Sequence, residues 1–470
     1  MELGQLFRLP LAALGNGATV REMDHLQERG VYVDNPGGFR QPRPPWLMSV
    51  AAPPPIRTAP DVGDSNNEPH WEPRQSRSDA TDGRPLAGLR VIDFTAFWAG
   101  PSATHSLAAF GAEVIKIESI QRPDGIRYSG GMRKDVDDWW EYGWVFHAMN
   151  TNKRSVTLDL QSEAGRGLIK TLISQADVVI ENFSPRVMDQ FGLGADALLE
   201  LNPRLVMVRM PAFGLTGPWR DRVGFAPTME QIAGLAWVTG MPDGLPVAPR
   251  GACDPLAGTH AAFALMAALE FTDRTGRGQL VEVPMVESVL NVTALQPMEF
   301  EAFGSILERR GNKGHHPGEM QDIYRCAGDD SWIAVTVHTD AQHDALATLM
   351  GQDDDPAQWL ATRDAFTVVE QLVAAGIPAA VVISPSLVID NPQLAHRGFF
   401  EPLTHPSTGP GLYPCPPFAR PHGVDTWLHR PPPRLGQHNS EVLTELCGLT
   451  ETDLERLAAD GVIGTRPKGL

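Results

Sequence analysis

The chain has 470 residues, 42% hydrophobic and 20% charged, the balance of an ordinary globular protein long enough for about two or three compact units. Its formal net charge of -18 argues against a nucleic-acid or membrane-surface binder, because phosphate backbones and anionic lipids need a basic face. The four cysteines (Cys253, Cys326, Cys415, Cys447) lack zinc-site spacing and read as reduced thiols, and no apolar run approaches the ~20 residues of a membrane span, so a cytoplasmic location is expected.

The chain opens on a partial repeat. Leu9 to Gly30 can be laid without gaps on Ile377 to Gly398, matching Pro10 with Pro378, Leu26 with Leu394, and Arg29-Gly30 with Arg397-Gly398. With small gaps Pro44-Pro45-Trp46 falls on Pro416-Pro417-Phe418, and PDVG (Pro60 to Gly63) on PRLG (Pro433 to Gly436). Residues 1–51 therefore read as a second copy of a C-terminal segment, and 52–85, rich in Pro, Asp, Ser and Asn, as a linker.

From Leu86 strands alternate with helices. LRVIDF (Leu89 to Phe94) reads as a buried strand, Ser102 to Phe110 as a helix with Gly111 at its C-cap, and EVIKIE (Glu113 to Glu118) as the next strand. Ser162 is a fitting N-cap for a helix through Leu172, followed by strands DVVIEN (Asp177 to Asn182) and RLVMVRM (Arg204 to Met210). This alternation predicts an α/β fold with a largely parallel sheet covered on both faces. After Asp254 come a small-residue helix, the turn TGRGQ, the strand LVEVPM and, further on, the strand WIAVTV (Trp332 to Val337). The expected division is 86–299 for the first part of a large domain, 300–385 for a smaller one, and 386–470 returning to the large domain.

Four places could carry chemistry. Lys153 and Arg154, in a turn before a strand, could neutralise phosphates, although such a pair alone reads as a solvated basic face. GFAPTMEQ (Gly224 to Gln231) puts Pro at a helix start, where backbone amides can face a ligand. Asp254 before Pro255 fits an N-cap with Pro at the first helical position, and a helix N-terminus also favours an ionised, directed carboxylate. Its neighbour Cys253 has no visible activating base and reads as a packing residue. The adjacent His315 and His316 lack the spacing of paired metal ligands, so no metal site is expected, nor is there a phosphate-binding glycine fingerprint.

Five ordered segments carry a family resemblance: PLAGLRVIDFTAFWAGPSATHSLAAFGAEVIKIE, NTNKRSVTLDL, DVVIENFSPRVMDQFGLG, NPRLVMVRMPAFGLTGP and CDPLAGTHAAFALMAALEFTDRTGRGQLVEV. Through them the chain, from Leu86 to about Cys447, resembles the class III CoA-transferases, a family that includes formyl-CoA transferase, carnitine-related CoA-transferases and alpha-methylacyl-CoA racemase. The resemblance implies a doubly wound, Rossmann-like large domain, a smaller α/β domain, and two subunits threaded through each other, as a homodimer or with a sister chain. It makes Asp254 the nucleophile that forms first an anhydride and then an aspartyl-CoA thioester, with acyl-CoA and a small carboxylic acid as substrates and no cofactor beyond CoA itself. It also implies CoA contacts at Phe97, Trp98 and Ala99, at Leu158 and Asp159, at Asn182 and Phe183, and along Val223, Gly224, Phe225 and Ala226; Lys153 and Arg154 stay as the phosphate candidates.

Two departures bear on the reaction. The racemase branch has a His where this chain has Phe225, which cannot exchange a proton, so racemisation of a 2-methylacyl-CoA is the weaker alternative. Where some transferases close a glycine-rich loop over the intermediate, this chain has GNKGHHPG (Gly311 to Gly318). A non-catalytic CoA-binding subunit is the third reading, motivated by the extra N-terminal copy.

Overall fold

The structure is a computed structural model that describes every residue except 1–3, 5–6, 8, 67–82, 131–132, 134, 315–318 and 416–423. The four near-continuous apolar runs become strands buried on both faces, as parallel strands covered by helices must be. They belong to a seven-stranded sheet made of β1 (Leu47–Met48), β2 (Arg90–Asp93), β3 (Glu113–Glu118), β4 (Arg154–Thr157), β5 (Val178–Glu181), β6 (Val206–Arg209) and β7 (Gln279–Glu282). Their spatial order is β1-β7-β6-β5-β2-β3-β4, and every pair is parallel except β1 on β7.

From β2 the chain steps outward through β3 to β4, then returns to lay β5, β6 and β7 on the other side. The winding thus reverses between β2 and β5, and in such sheets ligands bind at the carboxyl ends of the two strands flanking the reversal. Successive residues face opposite ways. Val91, Val178 and Val206 enter a core with Leu107 and Leu265, while Ile92, Val179 and Met207 enter a second with Ile169, Leu172 and Leu443. Leu443 lies in the helix Asn439–Cys447, so the C-terminal segment completes this larger unit.

Three helices matter for the site: α1 (Ala99–Ala109), α2 (Ala226–Ile232) and α3 (Cys253–Thr275). α1 starts three residues before the expected Ser102, because Pro101 is tolerated within a first turn, where its missing N–H is no loss. α3 ends at Gly276 in the left-handed conformation (φ 73°), whose N–H closes on the Thr272 carbonyl. Its start corrects the expectation: Asp254 is the second helical residue and Ala252, which has no capping side chain, holds the N-cap position.

The two stretches of the repeat fold alike. Val20–Glu22 and Asp24–Glu28 lead through Gly30 (φ 59°) into the hairpin Tyr32–Asn35/Phe39–Pro42. Pro385–Asp390 and Pro392–His396 lead through Gly398 (φ 56°) into Phe400–His405/Gly409–Pro414. The N-terminal copy packs on its own module: Leu26 is fully buried, His25 stacks on Trp219 at 4.9 Å, and Arg29 reaches Glu282 and Glu287, each at 2.7 Å. Residues 52–66 carry no helix or strand.

The chain divides into a larger unit (1–235, 248–307, 400–470) and a smaller one (236–247, 308–399). The smaller unit starts later than the expected residue 300, because the helix Leu295–Phe303 is held to the N-terminal copy through Glu301, which pairs with Arg21 and Arg40. It also ends later than 385 and takes in 236–247, where the Gly311 N–H bonds the Gly240 carbonyl at 2.9 Å. It has its own antiparallel sheet (Met320–Arg325, Trp332–Val337, Ala379–Val381) and its own core around Val335, Leu346, Trp359 and Leu372. His315 and His316 lie outside the described residues.

Candidate active site

The loop leaving β2 is held by buried ions. Asp93, wholly buried, accepts bonds from Thr95 N–H (2.8 Å), Thr95 Oγ1 (2.5 Å) and Thr104 Oγ1 (2.7 Å), and pairs with Lys153 at 3.2 Å. Lys116 donates to the Thr95 carbonyl and pairs with Asp124, whose carboxylate in turn accepts the Phe97 N–H at 2.9 Å. Burial, the largest influence, would raise the Asp93 carboxyl, but Lys153, Lys116 and the Thr95 and Thr104 hydrogen bonds together hold it below its ordinary value. The result is a rigid turn in which Phe97 takes a left-handed conformation (φ 63°), rare for a bulky residue, with half its side chain exposed.

Across the reversal in winding, Asn182 answers this loop. Its Oδ1 accepts the Ala96 N–H and its Nδ2 donates to the Ala96 carbonyl, both at 2.8 Å. The side-chain amide therefore pairs with a backbone amide as a neighbouring strand would, joining the carboxyl ends of β2 and β5. Phe97, Trp98, Ala99, Asn182 and Phe183 gather here, Ala99 being buried as the first residue of α1.

α3 delivers Asp254 to the same place. A Cβ on Gly258 would stand 2.6 Å from the Ala99 carbonyl oxygen, so glycine is what allows the first turns of α1 and α3 to touch. Just before the helix, a Cβ on Gly251 would stand 3.3 Å from the Trp98 ring. Asp254 is half-buried at the head of α3, and burial first, then the charge of Glu230, push its carboxyl up from 3.8 to about 6. It remains mostly ionised at neutral pH and more basic than a solvated carboxylate. Cys253 is fully buried against Met229 and Met285, and burial raises its thiol well above the ordinary value, as suits a packing residue.

The segment Val223 to Ala226 follows β6 and leads into α2; Gly224 lies against Ala212 and Phe213, Phe225 is half-exposed and Ala226 buried. Thr228 Oγ1 takes the Phe225 N–H at 3.0 Å, so that amide is already satisfied within the chain. What sequence reasoning missed is a role for Glu230, a fully buried acid inside the segment Gly224 to Gln231, whose carboxylate accepts N–H bonds from Arg250, Gly251 and Cys253. The available signal was an acid among apolar residues on a short helix.

Other candidates fall elsewhere. Lys153 is wholly buried, bonded to Asp93, Thr104, Asn150 and Pro101, and burial lowers its ammonium to about 8 against the pull of Asp93. Arg154 pairs with Glu113, Glu441 and Glu445. The charge of Lys153 is taken up by Asp93 at the end of β2 and that of Arg154 by Glu113, Glu441 and Glu445, so both neutralise carboxylates of the chain itself, where the sequence suggested phosphate. Leu158 is wholly buried in the second core, which leaves its side chain no ligand to meet. Asp159, two residues past the edge strand β4, has its N–H bonded to the Val462 carbonyl; β4 lies two strands from β2, about 10 Å across the sheet. Among the described residues no group of three or more His, Cys, Asp or Glu is placed to hold a metal ion, and no helix is long and apolar enough to cross a membrane.

Comparison with known proteins agrees with this geometry. The profile of CoA-transferase family III matches residues 86–439. The chain is 35% identical over 412 residues to the succinyl-CoA–D-citramalate CoA-transferase of Chloroflexus aurantiacus, covering 81% of this chain and 98% of that protein. It is 31% identical to the beta subunit of succinyl-CoA–L-malate CoA-transferase from the same organism, again covering 81% of this chain and 98% of the relative. Among solved structures, a CAIB/BAIF family protein from Brucella suis superposes with a TM-score of 0.68 at 30% identity, over 77% of this chain and 99% of that one. The reversed winding, the crevice at β2 and β5, and these relatives place the chain in CoA-transferase family III, as an enzyme of that class.

Proposed function

We propose that this transferase moves CoA from an acyl-CoA donor to a carboxylic acid through covalent intermediates on Asp254. The observation that carries the reading is the Asp254 carboxylate, ionised at neutral pH and bonded to no described residue, at the head of a helix that touches the loop at the reversal in winding.

A lone pair on the Asp254 carboxylate attacks the thioester carbonyl; a C–O bond forms, the C–S bond breaks, and its electron pair leaves on the CoA thiolate. The thiolate then attacks the aspartyl carbonyl of the anhydride, forming a C–S bond and releasing the donor acid as its carboxylate. The acceptor acid runs the two steps in reverse. Thioester energy is conserved throughout, so the cycle calls for no cofactor beyond CoA. The α3 dipole favours negative charge at its head, where oxyanions develop.

CoA lies in this reading along Phe97, Trp98, Asn182 and Phe183, with the Val223 to Ala226 segment on the far side. Because named relatives act with succinyl-CoA, that thioester is the donor to test first, and because one relative is a subunit of a two-subunit enzyme, pairing with a sister chain stands beside a homodimer. Threaded subunits and a cytoplasmic location belong to the same proposal. Racemisation stays the weaker alternative, since the side chain at Phe225 is apolar and holds no exchangeable proton.

The test is intact-protein mass spectrometry of wild type and Asp254→Ala after incubation with a panel of acyl-CoA thioesters, trapping acyl-enzyme with hydroxylamine or borohydride. An adduct that maps to Asp254 and is lost in the variant is expected. Tight CoA binding with no adduct from any donor would instead favour the racemase or the non-catalytic subunit, which deuterium exchange at the alpha carbon separates.

A further inference from the structure

The head of α3 is held from outside the helix. Glu230 Oε2 accepts the Arg250 N–H at 2.8 Å, and Oε1 accepts the Gly251 and Cys253 N–H groups at 3.0 and 3.2 Å. Successive amides converging on one carboxylate form an anion-binding concavity, here filled by an internal anion. Arg250, one of four non-glycine residues with positive φ (66°) among the described residues, is the corner of this turn, and its N–H bond to Glu230 holds it in that sparsely populated conformation.

An aspartate at a helix start usually spends its carboxylate on the unpaired amides of the first turn, which lowers its basicity and points its lone pairs inward. At this helix Glu230 accepts the first helical amide, that of Cys253, together with the amides of Arg250 and Gly251 in the turn before it. Asp254 makes no capping bond, and its carboxylate has no hydrogen bond or ion pair among the described residues. Two carboxylates thus share one helix head in unequal roles: one wholly buried and amide-bound, the other half-exposed.

We propose that Glu230 is a positioning residue for acyl transfer: by binding the amides at the head of α3 it frees the Asp254 carboxylate, sets its direction and, as a second negative charge, keeps it a strong nucleophile. The proposal rests on the reading of Asp254 as nucleophile. Like charges raise one another's proton affinity, which agrees with the carboxyl of Asp254 standing at about 6.

The experiment follows formation of the hydroxylamine-trapped adduct from succinyl-CoA, from acid to mildly alkaline pH, in wild type, Asp254→Asn, Glu230→Gln and Glu230→Asp. Wild type should show an acid limb with its midpoint near 6. Glu230→Gln removes the charge and turns a donor toward backbone donors; its midpoint should move down by about one pH unit and its rate at neutral pH fall roughly tenfold, with CoA affinity within about twofold of wild type. Glu230→Asp keeps the charge with a shorter reach, so its midpoint should stay near 6 while its rate falls.

A loss of rate in Glu230→Gln with the midpoint unmoved would show that Glu230 only supports the fold, and would overturn the proposal. If Glu230→Gln does not fold, Glu230→Asp decides: a slower adduct with CoA affinity and melting temperature kept at wild-type values supports the proposal, and a rate loss that comes with lost affinity or stability, or wild-type behaviour, overturns it. A wild-type enzyme that forms no adduct at Asp254, or an Asp254→Asn enzyme that still forms one, would remove the nucleophile reading itself.

Discussion

Ser102 Oγ stands 2.1 Å from where a Cβ on Gly258 would be, and that oxygen already donates to the Ala99 carbonyl at 2.8 Å. The side chain of one helix fills the space that the missing side chain of the other leaves. Gly258→Ala should therefore push α1 and α3 apart, costing about 1–3 kcal/mol in urea denaturation and lowering transfer by displacing Asp254. Adding Ser102→Ala should recover only part of the loss, because the Ala99 carbonyl, 2.6 Å from the same point, cannot be removed. Full recovery in the double variant would show that the backbone is not the limiting contact.

The acid at the head of α3 should make activity and stability disagree. Its carboxyl titrates at about 6 in the folded protein and near 3.8 unfolded, so between these values the folded state holds the extra proton and stability falls as pH rises. Two pH units set an upper limit of about 3 kcal/mol, and partial exposure reduces it to roughly 1–2. Asp254→Asn should accordingly abolish transfer yet raise stability by about 1 kcal/mol at pH 8, with no gain near pH 4. Equal stability of the two proteins across that range would mean that Asp254 is as well solvated folded as unfolded.

Asn182→Ala removes both bonds that join the carboxyl ends of β2 and β5, leaving the Ala96 N–H and carbonyl without side-chain partners. The expected result is weaker CoA binding by roughly tenfold, equivalent to about 1.4 kcal/mol, with a smaller effect on turnover. Isothermal titration with CoA measures it. Unchanged affinity would place CoA away from this crevice.

Arg29→Leu should cost about 3–5 kcal/mol, because it leaves Glu282 and Glu287 buried without their shared cation. Arg43 also pairs with Glu287, so the larger penalty falls on Glu282. Hydrogen exchange should rise first in the hairpin Tyr32–Asn35/Phe39–Pro42, since that copy is tied to the sheet through Arg29. Exchange that rises uniformly across the unit would mean that the copy unfolds only with the whole.

Much of this protein was legible in its sequence because the signals were local. EVIKIE and WIAVTV became strands with the bounds read for them, and Ser162 caps its helix as expected by accepting the Gly165 N–H at 2.9 Å. Apolar runs, turn residues and caps act over a few bonds, so neighbouring letters disclose them. The largely parallel sheet also followed, since strands that alternate with helices connect that way.

The roles of charged groups were decided only by the tertiary structure. Lys153 and Arg154 look solvated in the sequence and are buried against Asp93 and Glu113; Asp254 looks like a cap, and the cap is Glu230, 24 positions before it. A charge does not report its partner in its own neighbourhood, because the Coulomb and desolvation energies that fix its role depend on distance in space. The sequence by itself determined which strands form, which family they belong to and where a nucleophile could stand. Folding decided which carboxylate is spent on the backbone and which is left free to react.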